Sequence, residues 1–352
     1  MAATLTQSSI IARKIIRFSI YAIIFIVVSR FTILLGIRIY RNFFPEPPPA
    51  PTVTFGKLPI LPFPDNPAGS GNLTYSLETP EGELPEFPEQ AKIYNMPKIP
   101  PSIQSLEFAK QKAASLGFSQ NGRELVETVF LFPNESSPST LTMNVVSGIF
   151  SISYDLRANP SAIDEVPPAP DVATSQVRTF LARAELLNDD LSGPVIHDFI
   201  KIEEGKFVTA ISLSESDLVK VNLFRKSFDN LPSVTSTPNE ANVWFMVGGA
   251  KDRANQIIAA EYHYYPSSEQ GSGTYPIKTA QKVWEELNSQ KAHIVRIKDP
   301  SGDAVKIRNI YLAYYDAGQY VQYYQPVVVF EGDNDFVAYI PAVTDEYYGG
   351  EE

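Results

Sequence analysis

The sequence has no cysteine, only three histidines, and fewer basic than acidic residues. Without cysteine the chain cannot form disulfide bonds, thiolate nucleophiles, or zinc and iron–sulfur sites built on cysteine. Its 29 Lys and Arg against 40 Asp and Glu give a formal net charge of −11, which argues against the basic surface that nucleic acids require. We therefore expect no nucleic-acid partner, and a cysteine-free exterior domain favours a bacterial origin.

Motifs that carry catalysis or metal binding are also missing. His197, His263 and His293 all lie in strand-like runs, outside the HxH and HExxH spacings of zinc sites. No GxSxG, P-loop or GxGxxG motif occurs, and adjacent acids such as Glu285 and Glu286 are typical of a solvated surface. The sequence thus predicts no catalytic, cofactor-binding or metal-binding residues and no enzyme. A hydrolase that uses acidic pairs is a third alternative.

Residues 18–37 form the one long apolar run, FSIYAIIFIVVSRFTILLGI. About twenty apolar residues are enough to cross the hydrocarbon core of a bilayer as a helix, so we predict a transmembrane helix. A cleaved signal peptide is the competing interpretation, but no small-x-small cleavage site follows the run. The flanking positive charges are nearly balanced, while the acidic C-terminal part is long. We therefore predict a cytoplasmic N-terminus at 1–17 and an extracytoplasmic C-terminal domain anchored in the cell membrane.

Arg30 is the one charged residue inside this apolar run. An arginine in a membrane helix is costly unless its side chain reaches the headgroups or pairs with an acid. The simpler interpretation is that Arg30 extends to the outer headgroups. The alternative is that it contacts an acidic residue in the transmembrane helix of a partner protein.

Proline dominates residues 38–101, which contain PEPPPAP, LPILPFPDNPAGSG and EGELPEFPEQ. Proline at this density is incompatible with regular helix and sheet interiors and favours extended chain. We predict a semi-rigid stalk between the membrane and the folded domain. In an alternative interpretation, the part from Asn72 onward is an extended arm that lies across that domain.

The rest of the chain alternates amphipathic helices with groups of strand-like runs, which predicts an α+β fold. The predicted helices begin at Ser102, Thr174 and Thr274, each with apolar residues at the period of one buried helix face. Turn residues separate the strand-like runs, so we expect tandem units of one helix packed on an antiparallel β-meander. The predicted units are 102–158, 172–266 and 274–343, followed by an acidic, frayed tail at 344–352.

The last unit carries the strings YPIKTAQKVWEELNSQKAHIVRI, IRNIYLAYYD, YYQPVVVFEG and FVAYIPAV. These strings and the order of helix and strands resemble YycI/YycH-type membrane-anchored regulators and PepSY-like domains. The resemblance covers residues 274–343 and, more loosely, residues 217–226. It implies one N-terminal transmembrane helix and an outer domain that restrains a sensor kinase, or a domain that binds or inhibits peptidases. The predicted stalk is longer than the connection expected of those regulators.

Tyrosine is the one residue type in excess in the last unit, where six candidates for binding lie in neighbouring strands: Tyr311, Tyr314, Tyr315, Tyr320, Tyr323 and Tyr324. Alternation along a strand puts Tyr311 and Tyr315 on one face and Tyr314 on the other. We therefore expect some of these rings to be exposed. They either stabilise the sheet by cross-strand pairing or form a platform for a peptide or glycan.

Together these features predict a non-catalytic, membrane-tethered, extracytoplasmic regulator or adaptor. Its expected partner is another membrane or envelope protein, bound through sheet edges or through the tyrosine-bearing face of the last unit. The alternative is a cell-envelope structural protein, or one that binds a glycan or peptide. No cofactor is expected in either case.

Overall fold

A computed structural model describes residues 5–43, 49–68, 73–299 and 304–350. The chain divides into two compact units, residues 1–50 and residues 51–352. The predicted fold class is confirmed, because an N-terminal apolar helix is followed by further helices and many antiparallel strands. Parts of the predicted N-terminus, stalk and tail, at 1–4, 44–48, 69–72 and 351–352, lie outside the described residues.

The first unit is a single helix, α1 (Leu5–Phe43), of 39 residues. Its segment Arg13–Tyr40, 28 residues, is long and apolar enough to cross a membrane. The helix extends beyond the predicted span on both sides because the flanking residues contain no proline or glycine that would end it earlier. Arg30 lies within the apolar segment and its side chain is exposed.

The second unit contains a sheet of nine strands, all antiparallel. In sheet order these strands are β4 (Arg123–Val126), β5 (Val129–Pro133), β6 (Ser139–Asn144), β7 (Phe150–Tyr154), β13 (Ile257–Tyr262), β12 (Val243–Gly248), β10 (Leu218–Leu223), β8 (Val195–Glu203) and β9 (Lys206–Thr209). The sheet therefore joins the first two predicted units, since β7 pairs directly with β13. These two units are one continuous sheet and not separate modules.

Two helices pack on one face of the nine-stranded sheet, α2 (Ser105–Ser115) and α3 (Pro170–Arg183). Ala109 and Ala113 from α2 and Val177 and Leu181 from α3 lie in the core, as their helical spacing predicts. Their first residues differ from the prediction. The helix α2 begins three residues after Ser102, whose backbone N–H donates to the Ser105 side chain at 3.0 Å. The helix α3 begins earlier, with Pro170 in the first turn, where proline is well tolerated.

A second sheet has six strands: β11 (Ser233–Thr235), β16 (Ala304–Asp316), β18 (Pro326–Gly332), β19 (Phe336–Pro341), β15 (His293–Arg296) and β2 (Thr74–Leu77). The pairs β16–β18, β18–β19 and β19–β15 are antiparallel, whereas β11 and β2 run parallel to β16. The order differs from the predicted meander, because β15 lies beside β19 and not beside β16. The strand β11 belongs to the second predicted unit, so this sheet also crosses a predicted boundary.

The helix α4 (Ala280–Asn288) packs on the six-stranded sheet through Val283 and Leu287. It does not begin at Thr274 as predicted. Residues 274–276 are the end of strand β14 (Ser268–Pro276), and the helix starts after Thr279, whose hydroxyl accepts from the Lys282 N–H at 3.2 Å. Threonine is a favoured N-cap residue. The helix therefore begins after Thr279 and not at Pro276.

The proline-rich segment is not a free stalk where the structure describes it beyond residue 51. It contributes β1 (Leu58–Pro59), which pairs with β20 (Tyr348–Gly350). Further along it contributes β2 and β3 (Gln90–Asn95), and β3 pairs with both β14 and β17 (Tyr323–Tyr324). Apolar side chains between the prolines explain the difference, because Leu58, Leu61 and Ile93 are buried in the domain core. The predicted frayed tail is likewise paired as far as Gly350.

Candidate functional site

The candidate site is a cleft of about 200 Å³ between the two sheets, here called the inter-sheet cleft. One side comes from residues next to the ends of β8 and β10, and the other from β16, β18 and β19. The strand β11 and the residues after it complete the wall. The lining residues are Pro194, Ile196, Phe224, Arg225, Ser227, Pro232, Ser233, Val234, Thr235, Pro238, Asn239, Tyr311, Val329, Glu331, Val337 and Tyr339.

Apolar side chains from three adjacent strands form the wall that the six-stranded sheet contributes. Val329 in β18 pairs with Tyr311 in β16 and with Tyr339 in β19, so these three residues form one row across the sheet. Val337 lies in the next row, opposite Glu331. Because directly paired residues of antiparallel strands point to the same face, the row presents a continuous apolar surface to the cleft.

The two tyrosine hydroxyls of this wall are already engaged within the protein. The Tyr311 hydroxyl donates to Glu331 Oε1 at 2.8 Å, and the Tyr339 hydroxyl donates to the Thr235 carbonyl at 2.9 Å. Burial raises the pKa of both hydroxyls, and at Tyr311 the hydrogen bond to Glu331 raises it further. Both tyrosines therefore stay protonated near neutral pH. Both rings form part of the cleft wall, and their hydroxyls do not act as bases.

A buried arginine, Arg225, is among the residues that line the cleft. Arg225 is 2% exposed and makes ion pairs with Asp190 at 2.7 Å and with Asp316 at 2.9 Å. A third donor, Nη2, bonds to the Tyr265 carbonyl at 2.5 Å, and the guanidinium lies 4.6 Å from the centre of the Tyr264 ring. Each of the three guanidinium nitrogens therefore has a hydrogen-bond partner within the protein.

This charge cluster connects the two sheets. Asp190 precedes β8 of the nine-stranded sheet, whereas Asp316 ends β16 of the six-stranded sheet. Burial opposes the charge and lowers the pKa of Arg225, but the two aspartates outweigh it and the net pKa is raised. Since a buried arginine without a counter-charge is strongly destabilising, the cluster fixes the relative position of the sheets that form the cleft.

The structure buries most of the predicted tyrosine face. Tyr314, Tyr315 and Tyr324 are 0% exposed and Tyr323 is 9% exposed, while Tyr320 is 36% exposed. The expected alternation is correct, since Tyr311 and Tyr315 share one core cluster and Tyr314 belongs to another. The expectation that some of these rings are exposed is met by Tyr320, which lies outside the strands, whereas the rings within the strands are buried or half-buried. Only Tyr311 lines the candidate site.

The proline-rich segment explains why the tyrosines are buried, because it covers the face of the six-stranded sheet that α4 leaves open. The Tyr315 hydroxyl donates to the Pro62 carbonyl at 3.2 Å, and the Phe63 ring lies 4.7 Å from the Tyr315 ring. Leu61 is buried in the same cluster. On the other face, the Tyr314 ring lies 5.5 Å from the ring of Tyr94, in β3.

Sequence patterns did not identify most residues of the cleft. Arg225, Asp190 and Asp316 come from three segments that only the folded chain brings together. The sequence pattern around Val329 and Val337 predicts only ordinary core residues of strands. The one local signal was the tyrosine excess, which predicted Tyr311 as a binding residue.

Metal ligation has no evident place in the described part of the chain. No group of three or more His, Asp or Glu side chains suited to a metal ion occurs among those residues. His197 bonds to the Thr174 hydroxyl at 2.8 Å, His263 to Glu261 at 2.9 Å, and His293 stacks on Phe63 at 4.4 Å. Each histidine thus has a partner that accounts for its position.

No family model matches this chain, and no curated protein matches it. Among solved structures, it is similar to an uncharacterized protein from Eubacterium rectale, with a TM-score of 0.40 and 11% identity over 75% of this chain and 86% of the other. It is also similar to the YpeB C-terminal domain of Bacillus megaterium, with a TM-score of 0.33 and 11% identity over 68% of this chain and 92% of the other. Similarities this low do not show what the chain binds.

Proposed function

We propose that this protein is a non-catalytic, membrane-tethered adaptor or regulator, and that its inter-sheet cleft receives an apolar side chain of another envelope protein. The observation that carries this proposal is the cleft itself, with a largely apolar lining and with two tyrosine hydroxyls that bond within the protein. Protein interfaces concentrate their binding energy where a buried anchor side chain fills such a pocket.

The size of the cleft supports a side chain as its occupant. Pockets for small molecules and cofactors usually measure about 300–1,000 Å³, and this cleft measures about 200 Å³. That volume suits one or two apolar side chains. The Tyr311 hydroxyl and the Arg225 guanidinium already have partners within the protein, which favours binding over catalysis.

The single apolar helix α1 supports tethering, and we propose that residues 51–352 lie on the extracytoplasmic side. The cysteine-free sequence allows a direct test. A Ser214→Cys variant carries one exposed thiol, which a membrane-impermeant maleimide should label in intact cells. Labelling only after the cells are lysed would place the domain in the cytoplasm and contradict the proposal.

The resemblance of residues 274–343 to YycI/YycH-type regulators and PepSY-like domains suggests two classes of partner, a sensor kinase and a peptidase. Both are proposals for this chain.

If the partner is a membrane protein, Arg30 is placed to contact an acid in its transmembrane helix. An Arg30→Leu variant should then insert normally but recover less of the partner after crosslinking. Full recovery would assign Arg30 to the headgroups.

The test of the cleft is a comparison of two tryptophan variants in crosslinked membranes. Ser227 is exposed and lines the cleft, so Ser227→Trp should block its entrance, whereas Ser214→Trp places the same ring on a surface away from the cleft. We expect one membrane protein to co-purify with the wild type and with Ser214→Trp, and to be lost with Ser227→Trp. Recovery of cell-wall glycan alone would instead support the structural or glycan-binding alternative.

A further inference from the structure

A second groove, here called the α3 groove, lies along the flank of α3 and measures about 570 Å³. The helix contributes residues at spacings of three and four, which therefore share one face: Val172, Ser175, Gln176, Thr179, Phe180 and Arg183. Val247 of β12, Ile257 of β13 and the connection between these strands form the opposite side. From Asp171 to Arg183 the helix rises about 18 Å, the length of about five residues of extended chain.

The groove is cationic although the protein as a whole is acidic. Arg183, Lys251 and Arg253 line it, against the single acidic lining residue Asp171. Lys251 pairs with Glu165 at 2.9 Å, but Arg183 and Arg253 have no ion-pair partner among the residues that the structure describes. Two exposed arginines without internal acids are suited to carboxylates, which the guanidinium can bind through two parallel hydrogen bonds.

Gln176 provides an independent indication of the kind of ligand. Its Oε1 atom is buried, and no donor from the described part of the chain reaches it. A buried acceptor without a donor is costly. Because Gln176 also lines the α3 groove, a peptide in the groove brings backbone N–H groups that can supply the missing donor. A phosphate polymer, which offers mainly acceptors, cannot do so.

Apolar contacts complete the preference for a peptide. Phe180 and Val172 lie on the helix side of the groove, and Val172 is 50% exposed. Val166, 76% exposed, is close by, because its carbonyl lies against Gly249 near the connection between β12 and β13. An extended segment that alternates acidic and apolar residues would therefore meet both kinds of surface.

We propose that the α3 groove binds an extended acidic peptide segment of a protein partner. Its carboxylates contact Arg183 and Arg253, and its apolar side chains contact Val172 and Phe180. The groove consists of residues other than those of the inter-sheet cleft, so this proposal does not depend on the function of the cleft.

The test uses the full chain in lipid nanodiscs and a fluorescent octapeptide that alternates glutamate and valine. Fluorescence anisotropy should show saturable binding that weakens with added salt. Arg183→Gln and Arg253→Gln should each weaken binding about tenfold, the effect of losing one good charge-assisted pair. Arg178→Gln is the matched control, since Arg178 is on α3 but does not line the groove.

Two further probes identify the chemistry of the ligand. The same octapeptide with glutamine in place of glutamate should bind at least about tenfold more weakly, because the carboxylates are lost. Inorganic polyphosphate should compete less well than the acidic peptide at equal charge concentration, because it lacks N–H donors for Gln176 and apolar groups for Val172 and Phe180. Equal affinity of the two peptides, unchanged affinity of both arginine variants, or binding of polyphosphate without binding of the acidic peptide would each overturn the proposal. If the Ser227→Trp variant loses its membrane partner but still binds the acidic peptide, the two sites act independently and the α3 groove proposal stands.

Discussion

The two large sheets of this domain are covered in different ways. In the six-stranded sheet, β18 and β19 are buried on both faces, and their sequences PVVVFEG and FVAYIP are nearly continuous apolar runs. In the nine-stranded sheet, the inner strand β10 is also buried throughout, but β6 and β13 alternate between buried and half-buried residues and the edge strand β4 is exposed throughout. Continuous apolar strands in an antiparallel sheet thus indicate that something covers both faces.

That comparison shows where binding surfaces can occur. The six-stranded sheet has its tyrosine face covered by the proline-rich segment, so the part of this face that we propose for binding is the part that lines the inter-sheet cleft. The nine-stranded sheet retains an open groove along α3 and exposed edges. The six-stranded sheet thus gives rigid support, and the nine-stranded sheet gives the accessible surface of the same domain.

The largest expected effect comes from a core ring of the six-stranded sheet. Phe330 is 0% exposed, so Phe330→Ala should lower the free energy of unfolding by about 3–5 kcal/mol through lost burial and a cavity. Phe207, on edge strand β9, is 48% exposed. Phe207→Ala should therefore change the free energy of unfolding by less than about 0.5 kcal/mol. Urea unfolding followed by tryptophan fluorescence measures both. Equal effects would refute the contrast between the covered strand β18 and the exposed edge strand β9.

The next effect concerns the charge cluster that joins the sheets. Asp316→Asn keeps the shape of the side chain but removes one of the two charges that compensate Arg225, so it should cost about 1.5–3 kcal/mol of the free energy of unfolding. Asp333→Asn is the control, because its ion pair with Arg308 is exposed to solvent. We expect little change there. A larger loss at Asp333 than at Asp316 would contradict the assigned role of the cluster.

A smaller effect should follow from uncovering the tyrosine face. Phe63→Ala removes a half-buried ring that contacts Tyr315 and His293, at an expected cost of about 1–2 kcal/mol in the free energy of unfolding. Hydrogen exchange should rise in β15 and in the C-terminal half of β16. Phe108→Ala, at a position 53% exposed on α2, serves as the control. Unchanged exchange in both strands would mean that the segment does not protect this face.

The smallest effect is the pH dependence of a contact between the sheets. His263 Nε2 lies 2.9 Å from Glu261 Oε2, and its Nδ1 lies 3.1 Å from the Gly318 carbonyl. Both partners accept hydrogen bonds, so the protonated ring is favoured. The bond to Glu261 raises the pKa of His263 above 6.5, although burial opposes this shift.

The sign follows from that raised pKa. The stabilisation by His263 is fully present below pH 6.5 and is lost as the pH rises through the higher pKa of the folded state. The wild type should therefore lose more stability than His263→Gln when the pH is raised above 6.5. Thermal melts at several pH values compare the two proteins. Parallel curves would show that His263 does not titrate in this way.

The sequence predicted local features better than long-range ones. The apolar buried residues of α2, α3 and α4 follow helical periodicity as predicted, because that periodicity reports burial directly. Glu286, which was expected on a solvated surface, is instead buried and pairs with Lys278 at 2.9 Å. The extent of the nine-stranded sheet was not predicted, since the pairing of β7 with β13 joins residues about 100 positions apart. The inter-sheet cleft was missed for the same reason, and only Tyr311 carried a local signal.

The most direct test of the central claim is photo-crosslinking from the mouth of the inter-sheet cleft in native membranes. A photoreactive phenylalanine analogue replaces Ser227 in one variant and Ser214 in the other. Our account predicts one discrete adduct with an envelope protein from position 227 and none from position 214. Equal adducts from both positions, or none from position 227 while the protein is folded and membrane-bound, would contradict the role of the cleft as a protein-binding site.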